Sequence, residues 1–195
     1  MNFFLDTEFH EDGKTIDLIS IALVGDDGRA FYALSKECNL RRAMQHEWVR
    51  DNVLLPIYKE HVHGDRRNYL RFTRSTMRMI FDDFGMSRDT IKTKLLSLMD
   101  FEVGDGSIAA PDEKPVIWAY FADYDWVAFC QLFGRMVDLP KGMPFFCMDL
   151  KQRMVERGLN GDWKRQVCPD PEGEHNALID ARWNAKLYEA IGSMT

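Results

Sequence analysis

The sequence predicts an α/β protein built on a mixed, five-stranded sheet with helices on both faces. Three observations lead there. The first 35 residues hold three apolar segments parted by turn residues, residues 115–122 are continuously apolar, and strands and helices alternate from there to the end. Antiparallel strands followed by strand–helix units give a sheet of mixed direction, and a strand apolar on every residue suits burial on both faces.

Residues 2–9 (NFFLDTEF) read as the first strand and 15–24 (TIDLISIALV) as the second, with Gly13 between them. Gly25-Asp26-Asp27-Gly28 supplies a hairpin turn into a third strand ending near Leu34. From about 40 to 100 the texture is helical. Within 67–84, Leu70, Met77, Ile80, Phe81 and Phe84 recur at helical spacing and Gly85 stops the helix, while Ser87 caps another running to about Met99. Residues 102–114 are polar and read as a loop before the central strand. A helix at about 125–136, a short buried strand at 145–148 and a helix to Gly158 follow. Residues 159–174 read as irregular, and 176–191 close the chain as a helix. No repeat or linker divides the sequence, so 1–195 is expected to be one domain with a helical, Arg-rich insertion at about 40–100.

The 195 residues are 46% hydrophobic and 29% charged, which excludes disordered and fibrous classes and leaves ample material for a core. No apolar run approaches the ~18–20 residues of a membrane span, and the start lacks the basic segment of a signal peptide. Cys38, Cys130, Cys147 and Cys168 show no CxxC spacing and read as free thiols. A cytoplasmic protein without membrane contact is expected. The formal net charge of −6 argues against nonspecific nucleic-acid binding.

Chemistry is carried by four acids and a histidine. Asp6 and Glu8 stand two apart on the first strand, so both leave one face, about 7 Å apart along the backbone. Their neighbours Phe4, Leu5 and Phe9 are apolar. Paired carboxylates on a buried face repel each other and lose hydration unless a cation neutralises them, and oxygen-only donors suit hard ions such as Mg²⁺. A solvated strand face or an Arg partner is the alternative. Asp123-Tyr124-Asp125 lies where the central strand turns into a helix, where α/β sheets commonly build sites, although an acid there also serves as helix-terminal charge. In residues 174–180 (EHNALID), Asn176 is a fitting N-cap, which leaves His175 in the loop and Asp180 in the first turns of the helix. His175 can then swing over a site that Asp180 lines from within.

Taken together, DxE, aromatic-Asp and HxAxxD occur in that order on a matching α/β frame. The chain resembles the DnaQ-like 3′→5′ exonucleases of the ribonuclease-H-like fold, in the subclass with a catalytic histidine. DTEF, ED-G-x-TI-D-LISI, WA-x(5)-YD-x-VA-x-CQL-x-G and H-x-ALIDAR are similar, more narrowly, to the exoribonuclease AS family. That resemblance implies RNA trimming from the 3′ end with a preference for adenylates, releasing nucleoside 5′-monophosphates, and a homodimer. It implies that Asp6, Glu8, Asp125 and Asp180 hold two Mg²⁺ ions (Mn²⁺ can substitute) and that His175 is the general base. It selects Asp125 over Asp123, and it sets Thr7 and Phe9 beside the terminal nucleotide of a single-stranded RNA. The stretch 40–115 looks longer than the family usually has, which bears on substrate preference. An exonuclease acting on DNA or short oligonucleotides, or a silent nucleic-acid-binding module, are the competing readings.

Arg66, Arg67, Arg71, Arg74 and Arg78 fall within thirteen residues, and four of them follow a helical stripe. Such a stripe reads as a solvated face, a phosphate-tracking surface or a subunit contact. His61-Val62-His63 lacks a third nearby ligand, and Trp163 either pins a loop or stacks on a base.

Overall fold

The computed structural model describes residues 1–62 and 71–193. Three strands open the chain: β1 (Asn2–Glu11), β2 (Ile16–Gly25) and β3 (Ala30–Leu34). They form the expected antiparallel meander, with Asp6 opposite Ala22 and Leu23 opposite Phe31. The register of β1 on β2 shifts between Glu8 and Phe9.

A helical arm follows, comprising α1 (Leu40–Gln45), α2 (Glu47–Val49), a π-helical turn (Arg50–Leu54), α3 (Leu55–Val62), α4 (Arg74–Phe84) and α5 (Arg88–Leu98). Thr73 caps α4 by accepting the N–H of Thr76, and Ser87 caps α5 at Thr90 as expected. Arg66, Arg67, His63 and the early part of the expected 67–84 helix lie outside the described residues. The expected loop at 102–114 contains a small hairpin, β4 (Glu102–Gly104) and β5 (Ser107–Ala109).

The central strand β6 (Val116–Ala119) is shorter than its apolar run, because Phe121 adopts φ 56° and α6 (Asp123–Gln131) starts at once. That helix ends at Gln131 rather than near Met136. The apolar run 145–148 predicts a buried strand, yet Phe145 and Phe146 are about three-fifths exposed. The strand β7 is Met148–Asp149, and it stops where the Asp149 carboxylate accepts the N–H of Gln152 to cap α7 (Leu150–Glu156). The segment read as irregular holds α8 (Gly161–Val167), capped by Asn160. The last helix is α9 (Ala177–Gly192), whose N-cap is Asn176 as expected.

The five-stranded sheet runs β3-β2-β1-β6-β7, with β6 and β7 parallel to β1. Alternation along β1 sends Phe3 and Leu5 to one face and Phe4 to the other. Phe3 and Leu5 pack with Ile91 and Leu95 of α5 and Phe129 of α6. Phe4 packs with Met154 of α7 and with Ala181, Leu187 and Ile191 of α9. Helices thus cover both faces, as the composition of the strands requires, and the topology is that of a ribonuclease-H-like sheet. Leu40, Val53, Leu54, Ile57, Met77 and Phe81 join Ile19 and Leu34 in a third cluster that seats the helical arm beside β2 and β3.

Candidate active site

Strand pairing decides where the acids stand. β6 pairs with β1 only at Asn2, Phe3 and Phe4, whereas β1 runs on to Glu11. Beyond Phe4 that edge of β1 is therefore open, at the carboxyl ends of the parallel strands. Asp6 and Glu8 project there on the α9 side, the side of Phe4.

α6 closes the open edge. Asp125 is buried, and its Oδ1 accepts the backbone N–H of Thr7 at 2.8 Å and the Thr7 hydroxyl at 2.6 Å. The Thr7 side chain, expected beside substrate, is thus committed to Asp125. Asp149 fixes the turn that leads into α6 by accepting the N–H of Ala122 at 2.7 Å. Phe9 stacks on Tyr124, with centroids 5.6 Å apart and planes at 10°.

α9 supplies the opposite wall. Buried Asn184 donates from Nδ2 to the carbonyl of Leu5 at 2.9 Å and so clamps the helix to the residue before Asp6. Asp180, one turn earlier on the same helix face, is brought alongside. His175 stands outside the helix with φ 66°, a left-handed conformation uncommon for a residue with a Cβ. Its N–H donates to Asp180 Oδ2 at 2.8 Å. One ligand atom from each of Glu8, His175 and Asp180 lies within 4.8 Å of the others.

The loop before α9 is fastened at further points. Trp183 donates its indole N–H to the carbonyl of Pro169 at 2.9 Å. Lys164 of α8 pairs with Asp170 and lies over the rings of Trp183 and Tyr120, 4.9 and 5.3 Å from their centroids. Lys164, Tyr120, Asp6, Glu174, His175 and Asp180 line one cleft of about 250 Å³. From the helical arm, half-exposed Trp48 lays its ring against His175.

The electrostatics mark the acids as a set in need of a cation. Burial raises Asp6 well above the usual carboxylate range, and repulsion from Asp125, Glu8 and Asp180 raises it further. Glu8 rises for the same two causes. Burial also raises Asp125, against the lowering effect of the Thr7 hydrogen bonds. Asp180 is pushed up to about 6, mainly by burial. Among the described residues no Lys or Arg pairs with any of the four. Four desolvated carboxylates and an imidazole, without a basic partner, fit hard divalent cations.

A 3′-5′ exoribonuclease Rv2179c-like domain model matches residues 1–192. The chain belongs to that family. It is similar to two relatives described as 3′-5′ exoribonucleases, MT2234.1 from Mycobacterium tuberculosis strain CDC 1551 / Oshkosh and Rv2179c from strain ATCC 25618 / H37Rv. Each is 35% identical over 193 residues, covering 99% of this chain and 94% of the relative.

Sequence reasoning alone misses Trp48, Lys164 and Asn184. Asn184 carries a usable signal, since it lies four residues after Asp180 on a helix. Lys164 carries a weaker one, because Asn160 marks the start of α8. Trp163, weighed as a base platform, is half-buried against the α7–α9 core. His61 turns its Nδ1 to the carbonyl of Ile57 at 2.8 Å and packs on Phe84, away from any metal role.

Proposed function

We propose that this protein is a metal-dependent 3′→5′ exoribonuclease that hydrolyses single-stranded RNA from its 3′ end to nucleoside 5′-monophosphates. The observation that carries the reading is the convergence of Glu8, His175 and Asp180, beside Asp6 and Asp125, in a member of the exoribonuclease family. In this reading Asp6, Glu8, Asp125 and Asp180 hold two Mg²⁺ ions, with Mn²⁺ as a substitute. Bound ions of this kind neutralise the carboxylates and the phosphoryl oxygens and lower the pKa of the attacking water.

The protein's own groups supply the rest. His175 takes the proton of the attacking water on a ring nitrogen, the general-base role that imidazole most often fills. The water oxygen bonds to phosphorus, the bond from phosphorus to the 3′ oxygen of the preceding nucleotide breaks, and that oxygen takes up a proton from solvent, to which His175 releases the one it accepted. Asp180 fixes the backbone of His175, and Thr7 fixes Asp125, so both groups are aimed before substrate arrives. Phe9, stacked on Tyr124, offers an aromatic surface to the terminal base, and adenylate-rich ends are the expected substrates.

No described helix is long and apolar enough to cross a membrane. Free thiols at Cys38, Cys130, Cys147 and Cys168 support work in the reducing cytoplasm. A homodimer is supported by the exposed apolar side chains of Phe121, Val137, Phe145 and Phe146.

Incubation of matched 5′-labelled RNA and DNA oligomers with Mg²⁺, with Asp180→Ala as control, tests the reading. A stepwise ladder on RNA that vanishes in the variant is the expected result. Cleavage of neither substrate, or undiminished activity in the variant, would overturn it.

A further inference from the structure

We propose that the groove between α1 and α4 is a phosphate-binding track for the RNA strand upstream of the 3′ end being cleaved. The proposal rests on the exoribonuclease reading for the identity of the strand. The groove has a volume of about 420 Å³ and is lined by Asn39, Leu40, Arg41, Arg74, Ser75 and Arg78. Three guanidinium groups on two separate elements therefore share one depression in a chain of net charge −6.

Their partners differ. Arg78 is occupied: it donates to the carbonyls of Lys36 and Cys38 at 2.7 and 3.0 Å and faces Asp82 at 3.6 Å. Next to the groove, Arg42 is likewise engaged, with Asp12 at 2.9 Å. Arg41 and Arg74 are both exposed, and among the described residues neither makes an ion pair or side-chain hydrogen bond. Acids abound on this protein, and nearby arginines take them as partners. Two arginines facing one groove without one leave their forked donors for an outside anion, and phosphodiester oxygens match that geometry.

The elements around the groove also touch the cleft. Trp48 of α2 packs on His175, and His46, between α1 and α2, packs on His10 of β1, with ring centroids 4.7 and 5.6 Å apart. α1, with Arg41, comes immediately before in the chain. Trp48 lies seven positions after Arg41, a span of at most ~24 Å at ~3.4 Å per residue. At ~3.4 Å per stacked nucleotide this corresponds to about seven nucleotides or fewer. A twenty-nucleotide RNA therefore reaches the groove, whereas a dinucleotide has a single phosphodiester, the one held at the acids, and leaves no phosphate for the groove.

The test compares wild type with Arg41→Ala/Arg74→Ala and Arg41→Lys/Arg74→Lys, on a dinucleotide and on a twenty-nucleotide RNA. The alanine pair should raise KM for the long RNA about 5–10-fold and leave the dinucleotide kinetics unchanged. With two phosphate contacts gone, the slope of log KM against log salt should fall by about 1.4. The lysine pair should restore the salt slope, because both charges return, and only part of the KM, because an ammonium lacks the fork. Fluorescence anisotropy of the labelled long RNA on the same proteins reads binding without turnover. An unchanged Kd for the alanine pair would overturn the track whether or not RNA is hydrolysed. A weakened Kd with no hydrolysis of either length by wild type would retain the track and remove the exoribonuclease reading. A change of oligomeric mass in the alanine pair would overturn the track in favour of a subunit contact.

Discussion

The indole of Trp48 stands edge-on to the imidazole of His175, with ring centroids 4.7 Å apart and planes at 73°. An edge-to-face aromatic pair contributes about 0.5–1.5 kcal/mol beyond its buried area. His175 is already fixed at its backbone by the hydrogen bond to Asp180, so Trp48 restricts the remaining freedom, that of the ring. Trp48→Ala should lower kcat about 3–10-fold, and Trp48→Phe should recover most of it. Steady-state kinetics on RNA decides, and equal losses in the two variants would remove the ring-orienting role.

His175 lies close enough to Glu8 and Asp180 to serve either as a base or as a ligand, and the two roles separate experimentally. As a base, its replacement in His175→Ala should cost about 10²–10⁴ in kcat while the rise in Tm with millimolar Mg²⁺ persists. Asp180→Asn should lose both. Thermal melts with and without Mg²⁺, beside single-turnover rates, make the distinction; loss of the Mg²⁺ effect in His175→Ala would identify a ligand instead.

Thr7 holds Asp125 through its hydroxyl as well as its backbone. A hydrogen bond to a charged group contributes about 1.5–3 kcal/mol. Thr7→Val keeps the backbone donor and the side-chain shape, so kcat/KM should fall about 10-fold, whereas Thr7→Ser should stay near wild type. If serine fails to rescue, the hydroxyl is not the relevant group.

The raised carboxylates tie stability to pH in metal-free protein. Each binds its proton more readily folded than unfolded, so the stability they contribute is present in full below about pH 4. It is lost as pH rises through about 6 for Asp180 and higher still for Glu8. In EDTA, Tm should therefore fall between pH 5 and 8, and Mg²⁺ should offset the fall. Asp180→Asn should flatten the profile. Identical pH profiles for wild type and variant would refute this linkage.

The site was legible in the sequence where its residues carry their signal locally. The Asp6–Glu8 spacing on an apolar strand, and the Asn176 cap that places His175 outside and Asp180 inside a helix, follow from two periodicities and one capping rule. Phe145 and Phe146 were misleading because an apolar run does not reveal whether anything will cover it, and here Asp149 starts a helix first. Trp48 could not be read at all. Its contact with His175 joins distant parts of the chain through the packing of the helical arm, which no local pattern encodes.

That arm also has a phase. In the continuous helical run from Glu47 to Val62, the π-helical turn Arg50–Leu54 holds one residue more than ordinary winding accommodates, with Leu55 bonding back five residues to Arg50. Removing one residue there would rewind the turn and rotate Trp48 by about 100° relative to Ile57 and Val62, which anchor the run in its core. The anchoring side would keep its seat while the indole swung off the imidazole. A single-residue length change in this arm, which carries none of the four site carboxylates, would thus act as a change of aim.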